Sequence, residues 1–588
     1  MEELSVTGNA AIDKGFNFRK LWQTPLYLYC WDGTTRDADG QPVLVKGKKG
    51  FDSPALTEET EDNQRILLNG LLKYERTFSD IYSVNFLAGV ERITGGFDRF
   101  SAYRRNFTST ALDQMFAGAT DQYLTNNGSG GASARLNYFG RVNYGYKEKY
   151  LAEFVWRYQG SYIFEKSGQF GFFPGVSLGY VVSEENFWKD NIGAVDFFKL
   201  RASWGQTGWD EVYFNNTLQE YAYLTTYGLG GPGSAFVSNG GADLNPALYE
   251  TGVPNENTTW EKAIQRNVGF DAELLNNHLS VTFDYFDNLR SDILWRRNAS
   301  IPASTGMALP PENIGKSGNR GFDFSVIYNN IVGNDFTYEV GFNGGYAKNR
   351  IVFWDETPGR PEYQLTIGHP IPTDPYIPDN DLYYQAIGIF ENQAAVDAYS
   401  HWSGARPGDI IFEDVNDDGV IDANDRVRNE KSNVPTLTGG VTARFRYKGF
   451  DLSMLIQGAA GAVNYISTES GEIGNFLQSF YDNRWTEQNP TASGPRVFNR
   501  SNEYWVGQRN NYWLHKTDYV RLKNIELGYS LPAFAQNWGI QKLRVYVNAY
   551  NFLTYSPNYK DFDPELGSGS GQGYPLQKIV NGGLSVTF

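Results

Sequence analysis

Residues 260–287 read WEKAIQRNVGFDAELLNNHLSVTFDYFD, two runs of alternating side chains joined by NNH at 276–278. In the second run Leu279, Val281, Phe283 and Tyr285 share one face, and Ser280, Thr282 and Asp284 share the other. Period two with one greasy and one polar face marks a strand that borders an apolar phase on one side only. The pattern recurs. In FKLRASW (198–204), Phe198, Leu200, Ala202 and Trp204 oppose Lys199, Arg201 and Ser203. In AEFVWRY (152–158), Phe154 and Trp156 oppose Glu153 and Arg157, and in LRVYVNA (543–549), Val545 and Val547 oppose Arg544 and Asn548. A soluble sandwich would read the same way, with its apolar face turned inward.

Loop lengths separate the two. The template marks about sixteen strands, near 4–13, 63–77, 83–104, 133–146, 150–161, 170–182, 197–208, 262–275, 279–290, 320–330, 336–350, 437–447, 451–465, 518–530, 543–555 and 575–588. Tight turns such as KEK (147–149), NNH and KG (448–449) alternate with longer connections. The segments 14–62, 209–261, 351–436 and 466–517 exceed the loops of compact domains. Short turns at one end and long loops at the other describe an all-β, antiparallel transmembrane barrel of the outer-membrane type. The ending NGGLSVTF agrees, since Leu584, Val586 and Phe588 share a face and Phe588 is a candidate assembly signal.

Composition fits this reading. The chain of 588 residues is 16% aromatic, with 63 Gly, 39 Tyr and 39 Phe, and a formal charge of −16. That balance opposes a nucleic-acid surface. No apolar run is long enough for a transmembrane helix, whereas barrel strands keep average hydropathy low. Cys30 is the single cysteine, so neither an intrachain disulfide nor a multi-Cys zinc site can form. Motifs G-x-S-x-G, H-E-x-x-H and Cys/His clusters are missing, and no enzyme is expected.

Seven stretches together resemble one family, the SusC/RagA-type TonB-dependent transporters of the outer membrane. They are FPGVSLGYVVSEENFW (173–188), FKLRASWGQTG (198–208), the opening 260–287 stretch, NIGKSGNRGFDF (313–324), PGDIIFEDVNDDGVIDANDR (407–426), YVRLKNIELGYSLP (519–532) and YKDFDPE (559–565). The resemblance implies a pore for oligosaccharides, alternatively peptides, with a SusD-like lipoprotein lid and energy from TonB. The family also carries a signal peptide and a plug, which MEELSVTGNAAIDKG does not show. Large plugged transporters have ~22 strands. The expectation is therefore a partial barrel across 1–588, its sheet either open or poorly closed between 4–13 and 575–588. A passive barrel and a soluble glycan-binding β-protein are the competing readings.

Two sets of residues are candidates for sites. DVNDDGVIDAND (414–425), inside the long extracellular loop 351–436, follows the twelve-residue calcium loop. Asp414, Asn416 and Asp418 stand at positions 1, 3 and 5, with the Val420 carbonyl at 7, Asp422 at 9 and Asp425 at 12. Gly419 makes the sharp turn, and Ile421 is expected to point inward. No paired helices flank it, so a Ca2+ ion here would be structural; the bland alternative is an Asp/Asn-rich turn. Trp209, Tyr223, Tyr227, Trp402, Trp485, Tyr504, Trp505 and Trp513 could face substrate, though loop packing explains any one of them as well.

Overall fold

The computed structural model describes residues 4–588 except 122, 212, 215–216, 230–234, 239–242, 251–252, 296, 298–309, 374–377, 467–476, 498–506, 532–538, 568 and 570–572. Its main feature is one antiparallel sheet of sixteen strands paired in chain order. The first eight are β1 (Leu4–Cys30), β2 (Val45–Phe78), β3 (Tyr82–Arg105), β4 (Thr125–Tyr146), β5 (Tyr150–Ser161), β6 (Phe170–Val181), β7 (Val195–Trp209) and β8 (Glu261–Leu274). The others are β9 (Leu279–Trp295), β10 (Glu312–Val332), β11 (Phe336–Phe353), β12 (Leu437–Tyr447), β13 (Phe450–Ala460), β14 (Tyr519–Leu531), β15 (Lys542–Tyr555) and β16 (Ile579–Thr587). β1 and β16 are the two edges, and among the described residues no pairing joins them. The open form of the sheet is thus the one observed. No described helix is long and apolar enough to cross a membrane.

Connections alternate as expected. The turns at Ser79–Asp80, Lys147–Glu148 and Leu275–Asn277 use left-handed backbone, which polar turn residues tolerate best. At the opposite end lie the long connections 210–260, 354–436 and 461–518. One expectation fails: 14–62 is not a long loop. β1 and β2 stay paired from Leu4↔Tyr74 up to Cys30↔Val45, with a bulge near Gln23. Above the apolar band the rungs become polar on both faces, as at Asn17↔Glu61 and Lys20↔Glu58. Strand geometry persists there while the apolar alternation that reveals it is interrupted.

The two faces sort by chemistry. Directly paired residues point the same way, and one rung runs Phe154↔Val176↔Trp204 across β5 to β7. Val547 pairs with Leu527 on one side, and Val545 pairs with Leu584 on the other. These apolar side chains are exposed: Val547 is 54% and Leu584 68% exposed. A large sheet with an apolar exterior is the inverse of a sandwich, and lipid is its natural neighbour.

Aromatic rings form a ladder on this outer face that starts near the short turns and climbs the wall. Trp188 stacks on Phe198 at 5.3 Å, and Phe198, Phe270, Phe283, Phe322 and Tyr346 follow at 5.8–5.9 Å spacings. Tyr82, Tyr146, Tyr150 and Tyr180 continue the band at 5.1–6.1 Å. The tyrosines, beside the short turns at 79–81 and 147–149, form the kind of girdle that marks the membrane–water boundary.

Candidate functional site: the inner wall and the mouth loops

The inner face carries polar and small side chains. Arg201 on β7 donates to Asp271 on β8 (Nε–Oδ2 2.8 Å, Nη2–Oδ1 3.0 Å) and to Asp284 on β9 (both contacts 3.0 Å). Gly269 lies between those strands beneath the Asp284 carboxylate, where a Cβ would come within 2.4 Å of Oδ1. Arg544 on β15 likewise donates to Asp451 and, at 2.7 Å, to Glu526. Glu526 also accepts from Asn548 at 3.2 Å. Lys199, Arg201, Arg157, Arg544 and Asn548 therefore lie on the inner face, as the alternation implies. Farther round, Thr282, Asp323, Ser325, Asn343 and Gln457 border a groove of about 730 Å³ on this face. Such charge pairs across three strands help keep the wall polar.

At the mouth, two long connections share a core of their own. Tyr384, Trp402, Ile410, Phe412, Ile421, Phe480 and Trp513 are buried together, and Tyr384 stacks on Phe412 at 4.8 Å. Asp409, 1% exposed, accepts from Arg496 at 2.7 Å and binds the two connections electrostatically. A further connection, 556–578, is drawn in by the wall. Arg521 on β14 is 1% exposed and donates to Asp563 (2.7 Å) and Glu565 (2.5 Å). Between these loops lies a recess of about 450 Å³ bordered by Phe480, Tyr512, Trp513, His515, Tyr559 and Asp561. Burial pushes the Tyr559 hydroxyl up to about 12 and lowers His515, so both are neutral at physiological pH.

The aromatic candidates divide. Trp209 (51% exposed) and Tyr227 (57% exposed) project into solvent, and Tyr223 is half-buried against Tyr221. Trp485 is half-buried, its indole N–H donating to the Glu391 carbonyl at 3.1 Å. Trp402 and Trp513 are core residues, 8% and 4% exposed. Their rings hold the loops together instead of presenting an open stacking face, which corrects the substrate-facing assignment for these two. Tyr504 and Trp505 lie outside the described residues. Phe588 is 78% exposed at the foot of the edge strand β16.

The acidic loop is compact. Asp414 accepts from the Asp418 and Gly419 N–H groups (3.2 and 2.8 Å), and Asn416 accepts from the same Asp418 N–H at 3.2 Å. Asp418 in turn accepts from the Val420 N–H at 2.8 Å. Gly419 sits at φ +82, the turn that its position requires. Ile421 does point inward, 5% exposed in the mouth core. Asp425 departs from the expected convergence. It is fully buried, and its two oxygens accept from Val415 (2.9 Å) and Asp422 (2.7 Å), while Asp422 caps the turn through Asn424. Among the described residues no three His, Cys, Asp or Glu side chains gather as a metal set. Asp414, Asn416 and Asp418 are thus brought together, and Asp425 is turned to the inner side of the loop. Outside it, Gln364 donates to the Ala423 (2.9 Å), Asn424 (3.2 Å) and Arg426 (3.0 Å) carbonyls, a clamp that sequence reading did not find.

No family model matches the chain. Among curated proteins it is similar to TonB-dependent receptor P3 of Formosa agariphila, 31% identical over 89% of this chain and 51% of that protein. It is also similar to TonB-dependent receptor SusC of Bacteroides thetaiotaomicron, 29% identical over 77% of this chain and 44% of that protein. The chain spans about half the length of the curated relatives it matches. Among solved structures, that of the RagAB peptide transporter superposes with a TM-score of 0.76 at 22% identity, covering 100% of this chain and 60% of that one. An inward-polar, outward-apolar antiparallel sheet of this form is an outer-membrane β-barrel wall. By sequence it is related to the SusC-type TonB-dependent receptors, as the seven stretches imply.

Proposed function

We propose that the chain forms the wall and mouth of an active outer-membrane importer, energised through TonB and working with a SusD-like lipoprotein lid. The observation that carries the reading is the pairing of a polar inner wall with loops that share a core over one end of it. A passive pore needs the wall but has no use for so large a braced mouth. Its relatives named as TonB-dependent receptors support the same reading. The cargo we propose is an oligosaccharide, consistent with exposed rings such as Trp209 and Tyr227 at the mouth. A peptide cargo is the second reading, supported by likeness in fold to a peptide transporter. Uptake by cells carrying the full-length protein, with TonB present or deleted and with labelled oligosaccharides and peptides offered in parallel, tests it. Accumulation that persists without TonB would remove the active-importer reading.

A structural calcium ion in the 414–425 loop is a separate part of the proposal. Asp414, Asn416 and Asp418 would supply oxygen ligands, and the charge would offset their mutual repulsion. Asp425 would join only by releasing the backbone groups it now holds. Calorimetric titration of the full-length protein with calcium checks this, and absence of binding at millimolar calcium would leave the loop a turn.

A further inference from the structure

On the outer face, one rung of the sheet breaks the apolar pattern. Register places Arg266 on β8 beside Asp287 on β9, Asp287 beside Arg320 on β10, and Arg320 beside Lys348 on β11. The next rung toward the short turns is Val268, Tyr285, Phe322 and Tyr346, part of the lipid-facing surface. The cations therefore stand on the membrane side of the wall, directly above its apolar band, and not in the lumen. From the short turns to this rung the tilted strands climb roughly 20–30 Å, about the height of an outer-membrane apolar band. That height is the boundary at the end bearing the long loops.

The cluster is arranged for an outside ligand. Asp287 accepts from Arg266 Nη1 (3.4 Å) and from Arg320 Nε (3.1 Å), so one carboxylate orients two guanidinium groups. It neutralises only one of three positive charges. The Arg266 and Arg320 side chains are 52% and 71% exposed, against 22% for Asp287. Contact with Asp287 uses one nitrogen of each guanidinium, leaving the other N–H donors of these exposed side chains available. A charged group facing hydrocarbon is costly, so at this height its partner is an anionic headgroup whose acyl chains lie on the apolar rungs below.

We propose that Arg266, Arg320 and Lys348 form a docking site for a phosphate-bearing lipid of the outer leaflet. Paired guanidinium forks match phosphate oxygens, and Lys348 adds a point charge beside them. The site lies on the wall's exterior, so it does not depend on which cargo is imported.

Native mass spectrometry of the full-length protein in detergent tests this, with bis-phosphorylated lipid A and its dephosphorylated form as probes. Wild type should retain the phosphorylated lipid preferentially, and R266Q/R320Q/K348Q should retain it at least about tenfold less. R444Q, which alters an inward-facing arginine paired with Glu339 at 2.8 Å, should bind as wild type does. Excess inorganic phosphate should not strip the lipid, because the acyl chains also hold it; complete displacement would overturn the lipid assignment. Heat-modifiable migration on gels reports whether the triple variant folds. If it does not, R320Q alone decides, with an intermediate loss expected. Equal retention of both lipids by wild type, or undiminished retention by folded variants, would overturn the proposal.

Discussion

Arg521 and Asp563 join wall to mouth: a guanidinium that is 1% exposed on β14 donates at 2.7 Å to a carboxylate in the 556–578 loop. Removing one partner of a buried pair leaves the other uncompensated, at a cost of roughly 3–5 kcal/mol when burial is complete. Asp563 and Glu565 retain 13% and 31% exposure, so R521M should cost nearer about 2–3 kcal/mol. Hydrogen exchange should speed up at 559–566 while β15 stays protected. Unchanged exchange in that loop would show that the pair does not hold it.

Val547 gives a sharper test of which side faces lipid. It lies on the outer face of β15, roughly 15 Å along the strand from the turn end at Lys542, close to the middle of the apolar band. Val547→Arg should destabilise the folded barrel by about 2–4 kcal/mol, read from urea titrations in lipid vesicles. Asn548→Arg points the other way and should cost much less. Equal costs would mean that the faces are misassigned.

How far the sequence carries depends on the environment of each element. All sixteen wall strands are legible where the membrane imposes apolar–polar alternation, because lipid on one side and water on the other sort side chains with period two. The upper parts of β1 and β2 escape because polar rungs such as Asn17↔Glu61 and Lys20↔Glu58 interrupt the apolar alternation. The mouth core escaped for another reason. Trp402, Phe412 and Ile421 are spread along one connection and Trp513 comes from another, and no local period links them. Ile421 alone was legible, being the inward position of a recognisable loop motif. YKDFDPE and the arginine of YVRLKN are visible in the sequence, but only the fold shows that Arg521 meets two of the three acidic residues of YKDFDPE, Asp563 and Glu565.

The mouth core predicts its own sensitivity. Ile421 is 5% exposed within it, so Ile421→Ala removes buried methyl groups and should cost about 2–4 kcal/mol. Val420, 56% exposed one residue earlier, should tolerate Ala with a change of about 0.5 kcal/mol or less. Limited proteolysis of the full-length protein should cut the 400–430 region faster in the first variant only. Equal resistance of the two would show that the acidic loop is not anchored through Ile421.

Calcium makes a prediction that separates ligand from turn. Asp418 accepts the Val420 N–H and also shares its own N–H with Asp414 and Asn416. Asp418→Asn keeps the turn's acceptor but removes a charge, and Asp418→Ala removes both. If the loop holds calcium, added calcium should raise the melting temperature of wild type, less in the Asn variant and not in the Ala variant. A turn that binds nothing would show no calcium response in any of the three, with the Ala variant alone destabilised.

Acid should loosen the mouth through Asp379. Arg360 donates to both of its oxygens at 2.7 Å, and this pairing lowers the Asp379 pKa below the ordinary carboxylate value. A depressed folded-state pKa means the stabilisation is complete above the unfolded value, about 4, and is lost as pH falls through the lower folded one. Residues 360–366 and 378–384 should therefore keep their exchange protection from pH 7 to about 5 and lose part of it below about 4. Arg360→Gln removes the cause of the shift, so its protection should already be reduced at pH 7 and depend less on pH below 4. The buried Arg521–Asp563 pair on the wall provides an internal reference, since R360Q should leave exchange at 559–566 unaltered. A wild-type mouth whose protection is the same at pH 3 and pH 7 would show that the Arg360–Asp379 pair does not brace it.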